Sequence, residues 1–419
     1  MPKKKLKNKK LIIFTLILMQ IIAISSQFLM NSTISNVNKT SESFQPPIAS
    51  NDSETYAGQQ VIDYFRQVFA HDWDLGEIYI PEESETRRTQ SYDRAGSGYE
   101  PFLKQDINGN MSITPILSPD NSESEIIKLI NMATTSLKIE QMYFYSSLTD
   151  IVSAIIEAEQ NHGVDCQVIL DDSNDESDAT ANTLTEAGVE VKISNSLVPV
   201  YFDTMHNKGI IVDSEIVLIS SINWSPTSLR NNREAGLIIE NSEVAGYYEK
   251  LFDHDWDVCL DYDPDNSFGS IQNDYLPNEQ IENQKIPMKN DDFSSSKTFS
   301  GNMSVTVMAS PDNCYDVVAN LISTAQSSIY ISVYTLSQPY LLDKIADRIA
   351  HGVEVNLLLE KYQVGSYERS YNRGTLYNFT QLGIPSASNP SVNLFAKGLW
   401  ADSSFDFQHC KYAIIDNQT

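Results

Sequence analysis

The sequence is poor in cysteine and in basic residues. Its 419 residues contain four cysteines and no Cys-x-x-Cys pair, so neither a disulfide framework nor a zinc site is expected, although Cys259 and Cys314 could pair. Lysine and arginine number 29 against 56 aspartate and glutamate residues, which gives a formal net charge of −27. Because Lys and Arg supply most of the affinity for nucleic acid, a nucleic-acid partner is disfavoured. Any phosphate site must be a local cationic pocket in an acidic protein.

Apolar runs long enough to cross a membrane are also lacking, since a span needs roughly 20 residues. The run at 11–24, LIIFTLILMQIIAI, follows six lysines and precedes Ser25, Ser26 and Gln27. This layout is typical of a secretory signal peptide, which we assign to residues 1–27. An uncleaved membrane anchor is the second interpretation. A secreted or extracytoplasmic protein is therefore predicted.

Most of the remaining chain is an internal repeat. GNMSITPILSPDN at 109–121 returns as GNMSVTVMASPDN at 301–313, and NHGVDCQVIL at 161–170 returns as AHGVEVNLLL at 350–359. Self-similarity of this kind indicates two copies of one structural unit. The predicted organisation is an N-terminal extension at 28–108, a first domain at 109–262, a polar linker at 263–300 and a second domain at 301–419.

Each copy reads as strand, helix, strand, helix, strand. SITPILS and VDCQVILDD are typical of strands, whereas SESEIIKLINMATT and LTDIVSAIIEAEQNHG carry apolar residues at helical spacing. Alternating strands and helices indicate an α/β class. We predict two repeated α/β sandwich lobes with mixed sheets.

A further piece of the repeat precedes the first copy. VIDYFRQVFAHDWD at 61–74 matches VAGYYEKLFDHDWD at 244–257. One interpretation is a duplication remnant that packs on the first copy. The other is that this helix docks on the second copy, in which case Phe69 and Trp73 are buried against residues of 303–416.

One eight-residue motif occurs once in each copy, as HNKGIIVD at 206–213 and HCKYAIID at 409–416. In a strand, residues two apart share a face, so each histidine points the same way as its lysine. A neutral imidazole is a nucleophile near pH 7, a protonated one is a general acid, and lysines hold phosphate oxygens. The motif therefore predicts phosphoryl transfer in which His206, Lys208, His409 and Lys411 share one site. No metal or other cofactor is expected.

Three polar residues after the first motif are candidates for the same site. Ser221 and Asn223 in SSINWS are two apart, so both can face phosphate as hydrogen-bond donors. Glu234, in NNRE, opens the next strand and could orient an imidazole.

The doubled HxK(x4)D motif, followed in the first copy by Ser-x-Asn-Trp and Asn-Arg-Glu, resembles the phospholipase D superfamily over residues of about 110 to 416. The resemblance implies an active site at a pseudo-twofold interface and a phosphohistidine intermediate. It implies that His206 is the nucleophile and His409 the general acid, with Lys208 and Lys411 on phosphate. Asp213 and Asp416 match the aspartate of the motif, and their place in a turn indicates a mainly structural role. The chain stops at Thr419, before a second SSINWS and NNRE, so we expect a C-terminally truncated copy.

The superfamily contains enzymes with several substrates, so the fold does not determine the reaction. Export and the acidic charge favour a phospholipid at a membrane surface. Residues 196–205 and 391–400 carry apolar and aromatic side chains before each motif, and they lie either at the mouth of the site or in buried strands. Phospholipid hydrolysis is the leading hypothesis. A secreted nuclease, a cardiolipin synthase-like transferase and a binding-only protein are the alternatives.

Overall fold

The computed structural model describes part of the chain, namely residues 9–13, 21–26, 57–79, 83, 102–172, 175–194, 205–264, 291–361, 363, 371–381, 394–399 and 405–417. Its helices are α1 Ala57–Leu75, α2 Ser122–Ile130, α3 Thr149–His162, α4 Asp175–Glu186, α5 Pro226–Arg230, α6 Ser242–Val258, α7 Asp291–Ser294, α8 Cys314–Thr324, α9 Pro339–Ala350 and α10 Tyr371–Gln381. Within these ranges, no helix is both long and apolar enough to cross a bilayer.

The strands alternate with the helices, as predicted from the sequence. They are β1 Lys9–Ile13, β2 Ile21–Ser26, β3 Glu77–Ile78, β4 Gln105–Ser118, β5 Ser136–Gln141, β6 Asp165–Asp171, β7 Glu190–Ser194, β8 Lys208–Val212, β9 Ile216–Ser220, β10 Glu234–Glu240, β11 Leu260–Asp261, β12 Phe299–Met308, β13 Ser328–Val333, β14 Glu354–Glu360, β15 Leu394–Leu399 and β16 Lys411–Ile415. The first copy begins with β4 and the second with β12.

The first lobe is built on the strand order β4-β10-β9-β8-β5-β6-β7. β5, β6 and β7 are parallel and the other neighbours are antiparallel, so the sheet is mixed, as predicted. The helices α2, α3 and α4 contribute to an apolar cluster on one face, whereas α6 packs on the other face against β5, β8, β9 and β10. Both faces of the sheet are therefore covered.

The second lobe repeats the central part of this sheet. Its order is β16-β13-β14-β15, with β13, β14 and β15 parallel and β16 antiparallel to β13. The equivalence of β8 with β16, and of β5 with β13, places the two His-x-Lys motifs at matching strand ends. The sequence repeat is thus also a repeat of three-dimensional structure.

The two lobes share one sheet edge, which the sequence did not indicate. β12 pairs antiparallel with β4 and so joins the first lobe's sheet instead of its own. Asn110 pairs with Asn302, and these two residues are equivalent in the repeat. A pairing of equivalent residues between antiparallel strands places the pseudo-twofold axis at this point.

Helix α1 covers the second lobe. The Phe69 ring lies 5.4 Å from that of Tyr330, and the Phe65 ring lies 5.2 Å from that of Tyr412. Phe69 is buried, so the prediction that it packs against residues of 303–416 is confirmed. Trp73 is half-buried, stacks on Phe69 and packs against the same apolar cluster, so its predicted burial is confirmed only in part.

The pairing of α1 with the second lobe copies that of α6 with the first. Phe69 and Trp73 stack at 5.6 Å with an interplanar angle of 21°, and Phe252 and Trp256 of α6 stack at 5.7 Å and 19°. Both helices contribute to one apolar cluster. The N-terminal helix therefore occupies, on the second lobe, the place that α6 occupies on the first.

The N-terminal and linker segments differ from the simplest expectation. Residues predicted as a signal peptide form β1 and β2 in the uncleaved chain, where β2 pairs with β12; cleavage of a leader stays a prediction. The predicted linker at 263–300 ends in α7 and the first residues of β12, because the sheet extends to Phe299. All four cysteines are buried free thiols, so Cys259 and Cys314 do not pair.

Candidate active site

The first His-x-Lys pair lies at the start of β8. Lys208 is the first residue of the strand, and its Nζ lies 3.1 Å from His206 Nδ1. The same ammonium donates a hydrogen bond to the carbonyl oxygen of His206 at 2.7 Å. The two side chains therefore share one face of the strand, as the spacing predicts.

The second pair repeats this geometry at the start of β16. Lys411 Nζ lies 3.0 Å from His409 Nδ1 and donates to the carbonyl oxygen of His409 at 2.7 Å. The Tyr334 ring packs edge-on against the His409 ring, with centroids 5.1 Å apart. Both lysines are almost completely buried. Buried ammonium groups require a strong reason to be retained, and binding of an anion supplies one.

The two lobes meet at these pairs. The Arg233 N–H donates to the carbonyl oxygen of Phe407 at 2.8 Å, and the His409 N–H donates to the carbonyl oxygen of Arg233 at 2.8 Å. Through this backbone connection, Glu234 Oε2 of the first lobe comes within 2.8 Å of His409 Nδ1 of the second. The structure thus brings together the predicted residues Glu234, His409 and Lys411.

Glu234 is a fully buried carboxylate with a complete set of partners. Ser221 Oγ donates to Oε2 at 2.8 Å, and Asn232 Nδ2 donates to Oε1 at 3.2 Å. Burial raises the pKa of Glu234, but His409 and Lys411 overcome it and hold that pKa below its ordinary value. The carboxylate is therefore ionised at neutral pH and can only accept hydrogen bonds. His409 Nδ1 must carry the proton of this contact.

His206 and His409 have different charged neighbours, which shift their pKa values to different extents. Burial and the charge of Lys208, with further contributions from Lys411 and His409, hold the pKa of His206 well below its ordinary value. Burial also lowers the pKa of His409 below its ordinary value, and the Glu234 carboxylate offsets only part of that shift. His206 is therefore kept neutral, whereas the protonated form of His409 has a counter-ion. Environments that push two pKa values apart suit one histidine to attack and the other to protonate.

Lys208 and Lys411 form a cationic cluster in this acidic chain. Burial lowers the pKa of Lys411 to about 8. Burial and the neighbouring Lys411 hold the pKa of Lys208 well below its ordinary value. A bound phosphodiester anion would offset both effects, since an opposite charge stabilises the protonated lysines. These two lysines supply the local positive charge that a phosphate site in this acidic chain requires.

The motif aspartates lie outside this site, at the far ends of β8 and β16. Asp213 accepts hydrogen bonds from backbone and side-chain groups of Thr134, Thr135 and Ser136. Asp416 accepts equivalent bonds from Gln326, Ser327 and Ser328. Both residues have φ of 53°, in the left-handed region. For Asp213, this is the conformation that the tight turn between β8 and β9 requires. These contacts fit the mainly structural role that their place in a turn predicts.

Two predicted residues have different outcomes. Ser221 contacts the site through Glu234, not by pointing at an open phosphate position. Asn223 Oδ1 is buried without a hydrogen-bond partner among the described residues, so a contact of Asn223 with phosphate stays a prediction. The apolar segment at 196–205 lies outside the described residues except for Met205, and Leu394–Leu399 of the second segment is strand β15.

In the described part of the chain, no group of three His, Cys, Asp or Glu side chains is placed to hold a metal ion.

The sequence reasoning missed the residues that support this site. The NNRE sequence predicts only a strand start at Asn232 and Arg233, and it predicts no contact of either residue with the site. Arg233 is completely buried between Asp72 and Asp120. A signal was available, because Asp72 belongs to the repeated HDWD and Asp120 to the repeated SPDN.

Comparison with known families identifies the chain. The family model of the cardiolipin synthase, phospholipase D-like domain matches residues 126–256 and 318–419, one match in each lobe. These matches together cover more than half of the sequence and contain both His-x-Lys motifs. The chain belongs to this phospholipase D-like family. The fold and the superfamily implied by the doubled motif are therefore confirmed, and the chain is a member of a group of phosphodiesterases.

Individual relatives are distant. The mitochondrial cardiolipin hydrolase of Mus musculus is 25% identical over 145 residues, which are 34% of this chain and 62% of that protein. The phospholipase D of Rickettsia bellii is 31% identical over 108 residues, which are 26% of this chain and 51% of that protein. Among solved structures, the phospholipase D family member Nuc from Salmonella typhimurium is 24% identical with a TM-score of 0.33, covering 36% of this chain and 98% of that one. The chain thus spans about three fifths or less of these curated relatives' lengths.

Proposed function

We propose that this phospholipase D-like protein hydrolyses phospholipid head groups through a phosphohistidine intermediate. The observation that carries the proposal is that the two His-Lys pairs lie close enough to interact electrostatically at the lobe interface. Of these two histidines, His409 contacts the ionised Glu234 carboxylate, and His206 contacts no carboxylate among the described residues. That asymmetry suits a neutral nucleophile, His206, and a protonated acid, His409.

The proposed reaction has two displacements at phosphorus. In the first, a ring nitrogen of His206 forms a bond to phosphorus while the bond to the head-group oxygen breaks. His409 gives its proton to the leaving alkoxide, and Lys208 and Lys411 stabilise the charge on the phosphoryl oxygens. In the second, His409 takes a proton from water, the water oxygen bonds to phosphorus, and the phosphorus–nitrogen bond breaks. The products are the free alcohol and phosphatidic acid.

Two features support a phospholipid over a nucleic-acid substrate. The formal net charge of −27 repels a polyanion at long range, whereas a single phosphodiester needs only the local pocket. Several relatives are named for a lipid substrate, among them cardiolipin hydrolase and phospholipase D.

The Lys-rich start and apolar run at 11–24 further suggest export to a compartment that borders membrane lipids. Sequencing the N-terminus of the secreted protein tests this last point, and an intact Met1 start in the cytosol would contradict it.

A phosphatidyl transferase is the second candidate, because the matching family model is described as cardiolipin synthase. It needs the same residues and the same intermediate. The only difference is that an alcohol, not water, attacks phosphorus in the second displacement. Product analysis with added glycerol or phosphatidylglycerol separates the two reactions.

The decisive experiment uses the purified chain with phosphatidylcholine vesicles, cardiolipin vesicles and single-stranded DNA. We expect release of head group from vesicles and an acid-labile phosphoenzyme on rapid quenching. His206→Ala should form no phosphoenzyme, and His409→Ala should form it slowly. His162→Ala and His351→Ala are matched controls, because these two exposed histidines are a repeat pair outside the site. Equal activity of the His206 and His409 variants with the wild type would reject the mechanism, and turnover of DNA alone would reject the substrate.

A further inference from the structure

A buried arginine lies directly beside the proposed active site. Arg233 Nε and Nη2 donate hydrogen bonds to the two carboxylate oxygens of Asp72 at 2.8 and 2.7 Å. Its Nη1 donates to Asp120 Oδ2, and the Phe405 ring lies 4.8 Å from Cζ. The guanidinium and both carboxylates are essentially inaccessible to solvent. A two-pronged contact of this kind fixes the arginine in one orientation.

The backbone of the same arginine carries the contacts that define the site. Its carbonyl oxygen accepts the hydrogen bond from the His409 N–H, and its N–H donates to Phe407. The next residue is Glu234, whose carboxylate contacts the His409 ring. Any shift of Arg233 would therefore move the backbone of His409. It would also move Glu234, whose carboxylate is the counter-ion of the His409 ring.

The residue that holds Arg233 comes from a distant part of the chain. Asp72 lies on α1, which precedes both copies of the repeat and packs on the second lobe. Asp120 lies in the SPDN turn that follows β4. A helix outside the repeated domains is thus connected to the catalytic histidine through one buried side chain.

The repeat provides an internal comparison. Asp255 on α6 is the equivalent of Asp72, and each accepts from the preceding histidine, at 3.1 Å from His254 and 3.0 Å from His71. Burial raises the pKa of Asp255, whereas Arg233 overcomes burial to lower the pKa of Asp72. Of these two equivalent aspartates, Asp72 has hydrogen bonds to a guanidinium, and Asp255 has none among the described residues.

We propose that Asp72 is a positioning residue for the active site: through Arg233, helix α1 fixes the Glu234–His409 pair in its catalytic geometry. The expected loss of kcat rests on the proposed function. The expected change in the orientation of the Glu234–His409 pair does not. The proposal gives the N-terminal helix a task beyond covering apolar surface. We expect removal of the Asp72 carboxylate to lower activity about 10- to 100-fold, as removal of other residues that orient a catalytic group does.

The test compares Asp72→Asn with Asp74→Asn in the full chain, since Asp74 is an exposed carboxylate on the same helix. For Asp72→Asn we expect kcat to fall about 10- to 100-fold with KM within about twofold of wild type, since substrate contacts are retained. The NMR titration of the His409 ring, assigned with His409→Ala, should move to lower pH as Glu234 loosens. Asp74→Asn should keep wild-type kcat and an unchanged His409 titration. An Asp72→Asn protein that is folded, less stable, and unaltered in kcat and in the His409 titration would overturn the proposal.

A second variant guards against misfolding of the first. Asp120→Asn leaves the Arg233–Asp72 pair intact and neutral, so it should fold and show the same changes to a smaller degree. If Asp72→Asn does not fold and Asp120→Asn has wild-type kcat and His409 titration, the proposal is wrong. If the wild type turns over no phosphodiester, the proposed function fails by itself. The His409 titration in both variants then still decides whether Asp72 positions the pair.

Discussion

Glu234 Oε2 lies 2.8 Å from His409 Nδ1, although the two residues belong to different lobes and are 175 positions apart in the chain. The carboxylate also accepts from Ser221 and Asn232, so its orientation is fixed before substrate binds. This contact stabilises the protonated form of His409, which is the form that a general acid needs.

Glu234→Gln should shift the pH dependence of kcat/KM. If His409 acts as the acid, activity is lost as pH rises through its pKa. Removing the carboxylate that raises this pKa moves the alkaline limb to lower pH, and we expect at least about a tenfold loss of activity at pH 7. Glu240→Gln, at the exposed end of the same strand, is the control. An alkaline limb that stays in place would show that Glu234 does not act on His409.

Activity should persist in excess EDTA. Lys208 and Lys411 provide the positive charge that a divalent ion supplies in many phosphodiesterases. Vesicle hydrolysis before and after dialysis against chelator checks this. Loss of activity with recovery in zinc or magnesium would contradict the proposed role of the lysines. Lys411→Met, which removes the charge and keeps the length, should abolish hydrolysis with or without added metal.

Asp213→Asn and Asp416→Asn should destabilise the protein without altering its chemistry. Each removes a charge that accepts several hydrogen bonds, so we expect about 1–3 kcal/mol lower free energy of unfolding and nearly unchanged kcat well below Tm. Hydrogen bonds from Ser136 and Thr134 overcome partial burial and lower the pKa of Asp213. The stabilisation from Asp213 is therefore present above about pH 4 and lost as pH falls below it. Denaturant unfolding at pH 7 and pH 3 checks this sign, and an equally large deficit at both values would contradict it.

Phe69→Ala should destabilise the chain as much as Phe252→Ala. Both rings are buried at equivalent positions of α1 and α6, and loss of a buried Phe costs about 3–5 kcal/mol. Thermal unfolding of the two variants, with the half-buried Trp73→Phe as a mild control, measures the comparison. A Phe69→Ala cost below about 1 kcal/mol would mean that α1 is not an integral part of the second lobe.

The sequence by itself determined the secondary-structure elements and the family of the chain. Apolar periodicity and caps gave the alternation of strands and helices, since these signals are local. The repeated HxK(x4)D placed His206 with Lys208, and His409 with Lys411, because residues two apart on a strand must share a face. Repetition also identified α1 as a relative of α6, so its docking on the second lobe could be predicted.

Only the tertiary structure decided how the two copies meet. β12 pairs with β4 and not within its own sheet, a choice between equally suitable strand edges that no local pattern specifies. The same packing brings Glu234 to His409 and seats Arg233 between Asp72 and Asp120, which are 48 positions apart in the chain. Buried charges gain their value from partners that surround them in space, and those partners come from separate elements. The sequence alone could name the two His-Lys pairs as candidate catalytic residues, but the residues that hold them in place are evident only from the packing of the two lobes.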